Sequence, residues 1–191
     1  DEAAVVGVGN LSKAFTWDDP VLGLFSSHFG RRAMSGHYQK LAQRLAAQAR
    51  KAAPRNRTLF RFAAALAACL AVKADLRTRA RTAYSSKNRR ALSSVVADTT
   101  KTIALMRRQW QAHREIWLEE NKPFGLEVLD LRYGGQISRL HVLRDKLRDH
   151  LAGRATQIDE FEVKPQNFLG KYPFHGRKYR GTASPVFSVW I

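Results

Sequence analysis

A chain of 191 residues that carries 33 Lys and Arg against 16 Asp and Glu holds a formal charge of +17, and 45% of it is apolar. That length and apolar share suit one domain with a real core, since about 100–200 residues per domain is usual. The charge, with a pI near 10.8, argues against an enzyme for a small neutral substrate, because self-repulsion opposes compaction and adds nothing to such chemistry.

The cations are not evenly spread. Sixteen Lys or Arg and one acid, Asp75, lie between Pro20 and Ala97, whereas 115–162 holds ten acids against seven bases. The molecule is therefore bipolar, basic in front and near neutral behind. The absence of Met at position 1 reads as removal of something upstream, a cleaved targeting peptide among the options.

Residues 1–33 carry Gly7, Gly9, Pro20, Gly23 and Gly30 without a sustained period, which predicts an irregular arm. From Ser35 to Ala53 the apolar positions Tyr38, Leu41, Leu45 and Ala49 recur at steps of three and four, Ser35 serves as cap and Pro54 ends the run. Thr58 is expected to cap a second helix with Leu59, Phe62, Leu66, Cys69 or Leu70, and Leu76 on one face. Its stretch 60–76 is the longest apolar run, but Arg61 and Lys73 interrupt it, so no membrane span is expected. Cys69, the single cysteine, excludes an internal disulfide and reads as a small buried residue.

A third helix is predicted from Asn88 to Glu120, with Trp110 and Trp117 on one stripe and hence in the core beside Phe62, Leu66, Leu140 and Leu147. Pro123 and Gly125 break the chain. A fourth helix starts at Leu126, has the option of a bend at Gly134 and Gly135, and ends near Gly153. Beyond Ala155 the pattern fades into a tail rich in Pro, Gly and aromatics, with a short strand expected at 186–191. The fold class is thus all-α: a helical bundle of about four long helices over 34–155, flanked by the arm at 1–33 and an extended tail at 156–191.

The segment IWLEENKPFGLEVLDLRYGGQISRLHVLRDKLRDHLAG at 116–153 resembles the end of bacterial β-N-acetylhexosaminidases of glycoside hydrolase family 20. DDPVLGLF at 18–25, the run 59–84 and YRGTASP at 179–185 recur in the order that family shows. The resemblance implies the helical domain that follows the catalytic (β/α)8 barrel. In that family an adjacent Asp and Glu on a barrel strand orient the substrate acetamido group and protonate the leaving oxygen. Neither Asp1-Glu2 nor Asp159-Glu160 follows a strand here, so no catalytic residue is carried over, and the chain reads as a non-enzyme. The six histidines fall at no metal-ligand spacing, so neither metal nor cofactor is expected.

Recharging of an inherited scaffold points to a new, polyanionic partner. The expected function is a non-catalytic RNA-binding subunit of a ribonucleoprotein, with an organellar (mitochondrial) ribosome as host and the organellar matrix as its location. Its partners are then RNA and neighbouring proteins, with no small-molecule substrate. The expected phosphate contacts are Arg31, Arg32, Arg44, Arg50, Lys51, Arg55, Arg57, Arg77, Arg79, Arg81, Lys87, Arg89, Arg90, Arg177, Lys178 and Arg180. The alternative is the C-terminal helical domain of a working hexosaminidase whose barrel lies outside this chain.

Overall fold

A computed structural model of the protein describes residues 15–23 and 33–163. Six helices follow one another there: α1 (Ser35–Lys51), α2 (Pro54–Lys73), α3 (Leu76–Ser85), α4 (Arg89–Glu120), α5 (Leu126–Leu151) and the single turn α6 (Asp159–Glu162). A further helical stretch covers 15–17, and no strand occurs among the described residues. The all-α class and the four long helices agree with the sequence pattern. The tail from 164, with its expected strand, lies outside the described residues.

Local chemistry explains where the helices start and stop. Pro54 opens α2 rather than merely closing α1, because its missing N–H is an orphan at a first helical position and its fixed φ suits the turn. Thr58 is accordingly not a cap. It lies one turn inside α2 and donates its hydroxyl to Glu119 Oε1 at 2.8 Å, tying α2 to the end of α4. Ser35 is likewise the first residue of α1, and the cap comes from far along the chain. Asp75, between α2 and α3, accepts the Met34 and Ser35 amides at 3.0 and 2.9 Å and the Ser35 hydroxyl at 2.6 Å. A carboxylate there satisfies orphan donors and complements the helix dipole. Asn88 caps α4 through the Ala91 amide at 3.0 Å. Gly153, at φ +74°, ends α5 as expected.

With only Ala52 and Ala53 between them, α1 and α2 form a hairpin; α2 and α3 pack on α4, and α4 packs along α5. The main core gathers Val95, Ile103 and Met106 of α4 against Tyr133, Leu140, Leu143 and Leu147 of α5, and draws in Trp17, Val21, Ile158 and Phe161. The core therefore reaches beyond 34–155 at both ends. Phe15, Tyr38 and Leu70 make a second, smaller cluster that Leu66 joins.

Trp110 packs, half-buried, against the main core, whereas Trp117 departs from expectation. The buried stripe of α4 runs through Met106, Gln109, Ala112 and Ile116. Trp110 and Trp117 each lie one residue, about 100°, off it. Trp110 is half-buried, donates to Asp130 Oδ1 at 2.7 Å and carries Arg114 at 5.2 Å over its ring. Trp117 donates to Lys122 O at 3.1 Å at the bundle's end. Phe62, also half-buried, stacks on His113 at 4.5 Å, and Leu59 is 50% exposed.

The segment 15–23 is fastened by buried charge. Asp19 is fully buried; its Oδ1 accepts the Val21 and Leu22 amides at 2.8 Å each, and Arg139 grips it through Nε at 2.6 Å and Nη2 at 3.3 Å. Lys73 Nζ donates to Phe15 O at 2.7 Å and Asp18 O at 2.9 Å, Gln136 Nε2 to Asp18 O at 2.8 Å and Arg77 Nε to Val21 O at 3.0 Å. Gly23 admits no side chain: its φ is +63°, and a Cβ there would lie 1.9 Å from Arg77 Nε.

Asp19→Ala is expected to destabilise the chain by about 3–5 kcal/mol in urea titrations, since it strands Arg139 and two amides in a partly buried site. Gly134→Ala should do the reverse. α5 runs unbroken through Gly134, and a Cβ there meets nothing within 4 Å, so the change should add up to about 1 kcal/mol by helix propensity.

Candidate interaction surfaces

Among the cations expected to contact phosphate, Arg31, Arg32, Arg177, Lys178 and Arg180 lie outside the described residues. Arg44, Arg50, Lys51, Arg55 and Arg57 are exposed along α1 and the start of α2. They form no ion pair with an acid among the described residues. Beside them Arg61 meets Glu115 at 3.1 Å, but with both side chains about half exposed the pair contributes at most about 1 kcal/mol. Lys87 and Arg90 are also exposed.

Arg77 is a correction. Expected on the outer face, it is 8% exposed, holds Val21 O and stands 5.7 Å over the Phe161 ring. Burial lowers its pKa, and the nearby Asp18 charge opposes that shift. Its neighbours are also partly engaged. Arg79 pairs with Asp98, Arg81 donates to Val163 O at 3.1 Å, and Arg89 donates to Leu151 O at the C-terminal end of α5. Composition alone could not separate these tethers from the free ridge on α1 and α2. Lys73, Gln136 and Arg139 were missed altogether as organising residues; the interruption of an apolar run by Lys73 was the one available signal.

Candidate chemistry resolves into structural contacts. Asp159 accepts Gln157 Nε2 at 2.7 Å, and Glu160 meets Lys146 at 3.1 Å. Tyr133 OH receives Gln109 Nε2 at 3.2 Å and lies 3.1 Å from His113 Nδ1, but Tyr133 is 1% exposed and no substrate reaches it. Burial lowers the His113 pKa and raises that of Tyr133, favouring the neutral form of each. No group of three His, Cys, Asp or Glu among the described residues could hold a metal. Cys69 is fully buried. Burial pushes its thiol up to about 12, against the pull of Lys73.

Open surfaces among the described residues include a cavity of about 360 Å³ at the α3–α4 turn, lined by Thr82, Ser86 and Asn88. A groove of about 410 Å³ between α1, α2 and α4 is floored by Ala46, Ala49, Ala64, Ala65 and Ala112, with Arg61, Arg108 and Glu115 also lining it. At the turn between α4 and α5, Phe124 is 83% exposed, Leu131 54%, Leu118 49% and Val128 41%. That turn is well tied: Gly125 N donates to Glu127 Oε2 at 2.8 Å, and Trp117 holds Lys122 O.

A family model for the glycoside hydrolase 20C C-terminal domain matches residues 2–179. The chain belongs to this family. No curated protein matches it. The segments 18–25, 59–84 and 116–153 that carry the resemblance fall inside the matched span, while 179–185 touches only its end. For this glycoside hydrolase 20C C-terminal domain, the DDP turn at 18–20 supplies the buried Asp19 lock, and 116–153 supplies the exposed turn and α5.

Native Cys69 should resist iodoacetamide at pH 8 and label at least tenfold faster in urea, read by mass. The alkaline limb has a defined sign. The folded thiol keeps its proton to about 12, against 9 for the free group, so its contribution to stability falls as pH rises above 9. Over that window the urea midpoint should decline more in the wild type than in Cys69→Ala.

Proposed function

We propose that this chain is the non-catalytic C-terminal helical domain of a family-20 β-N-acetylhexosaminidase, bracing a catalytic barrel that the same polypeptide supplies upstream. The match of the family model over residues 2–179 carries this reading. The placement of the acids supports it: Asp159 and Glu160 are bound to Gln157 and Lys146 rather than set about an open cleft. The division of labour is then simple. The barrel supplies the Asp-Glu pair that the family's substrate-assisted hydrolysis needs, and the helical domain supplies a rigid, separately cored support.

A second reading keeps one observation of its own. Arg44, Arg50, Lys51, Arg55 and Arg57 stand in water without an acidic partner among the described residues, a ridge suited to phosphates of RNA in a ribonucleoprotein such as an organellar ribosome.

The two readings separate by experiment. Under the first, the full reading frame encodes a barrel with an adjacent Asp-Glu pair before residue 1. The 191-residue chain alone gives no turnover of an aryl N-acetylglucosaminide, and the full polypeptide does. A reading frame without a barrel overturns it. Under the second, structured RNA binds with a log K that falls against log salt at a slope of about −0.9 per phosphate neutralised on duplex, and reversing the five ridge charges flattens that slope. Unchanged RNA affinity in that folded variant removes the second reading.

A further inference from the structure

We infer that the acid-rimmed apolar end of the α4–α5 hairpin is the face that docks on the catalytic barrel, against an apolar surface there edged with Lys or Arg. This rests on the hydrolase-domain reading above.

Val128 and Leu131, three residues apart, lie on the outer side of α5, and Phe124 stands exposed in the turn that leads into it. That side is opposite the buried residues Tyr133, Gln136 and Leu140. Leu118 adds to the patch from the end of α4. A turn tied on both sides that still holds a phenyl ring 83% exposed contributes nothing to the core of this chain. Contiguous exposed apolar groups of this kind mark contact surfaces.

The glycines are the second observation. Gly134 and Gly135 sit one turn beyond Leu131 within a 26-residue helix, where glycine weakens the helix. Nothing in the chain explains them by packing, since an added Cβ at either meets no atom within 4 Å. A neighbouring backbone pressed against α5 does explain them.

Charge and connection then choose the occupant. In a molecule of +17, the exposed Glu119, Glu120 and Glu127 outnumber the single exposed Lys122 beside the patch, so its complement is basic at the rim. Four large apolar groups are few for a free partner. They suffice for a domain on the same polypeptide, where tethering raises the effective concentration to about the millimolar range. The upstream chain enters at the inner face of the same helix, where Gln136 holds Asp18 O, about 7.5 Å along the axis from the level of Leu131. Residues 1–14 reach at most about 50 Å, enough for a barrel to lie on this side.

Thiol accessibility tests the assignment, since buried Cys69 is the chain's own single cysteine and stays silent. Phe124→Cys, Leu131→Cys and, as control, Arg55→Cys are placed in the 191-residue chain and in the full polypeptide, labelled with iodoacetamide and read by peptide mass. Positions 124 and 131 should label at least tenfold more slowly in the full polypeptide, and position 55 equally in both. The paired change Gly134→Ala, Gly135→Ala should stabilise the 191-residue chain yet hasten proteolysis between the domains of the full polypeptide. Equal labelling at 124 and 131 in both forms overturns the inference while the hydrolase-domain reading stands, as does slowing at 55 instead. Slowing in the 191-residue chain that grows with its concentration assigns the face to a second copy and also overturns it. A reading frame without a barrel overturns both.

Discussion

The buried carboxylate of Asp19 is the constraint on which the arrangement of this bundle turns. An ionised acid removed from water is tolerated only when its oxygens are fully engaged, and here two backbone amides and the Arg139 fork engage them. Around that centre Lys73, Arg77 and Gln136 hold the carbonyls of the same short segment. Three helices are thereby locked to one loop, and the geometry leaves little freedom in how α2, α3 and α5 meet. The core packing of α4 on α5 adds the larger apolar energy, but apolar contact is non-directional. The polar lock supplies the direction.

Much of the architecture was legible because periodicity is a local property. The Tyr38-Leu41-Leu45-Ala49 spacing, the Asn88 cap and the Gly153 stop each depend on residues within a few positions, and each stands in the structure. The failures share the opposite character. Asp75 caps a helix that starts 40 residues before it, and Thr58 bonds an acid 61 residues away. Neither partner leaves a mark at short range. Trp117 leaves the core, while Trp110 packs on its edge, because a seven-residue step holds its face only when the partner helix follows the same line; α4 crosses several neighbours, and its buried stripe shifts by one residue.

The basic surface was legible as composition and illegible as function. Sixteen cations between 20 and 97 read as one patch, yet those among the described residues divide into some that stand in water and others bound to carbonyls and acids. Helix-terminal carbonyls and buried loops recruit guanidinium groups as readily as phosphates do. The exposed end of the α4–α5 hairpin was hidden for a related reason: Phe124, Val128 and Leu131 continue the apolar rhythm of α5, and rhythm alone does not tell which of two faces is inner.

The Asp19–Arg139 pair spans 120 positions of chain, and Gln136 reaches Asp18 across 118. Contacts of such separation form slowly, because a long loop must close before they give anything back. During synthesis the acid leaves the ribosome well before its arginine, so the lock stays open until the first half of α5 has followed. Under the proposed architecture, anything upstream has by then had its own time to fold. A chain cut short before Gln136 keeps only the Lys73 and Arg77 contacts to its first segment and leaves the Asp19 carboxylate without its guanidinium.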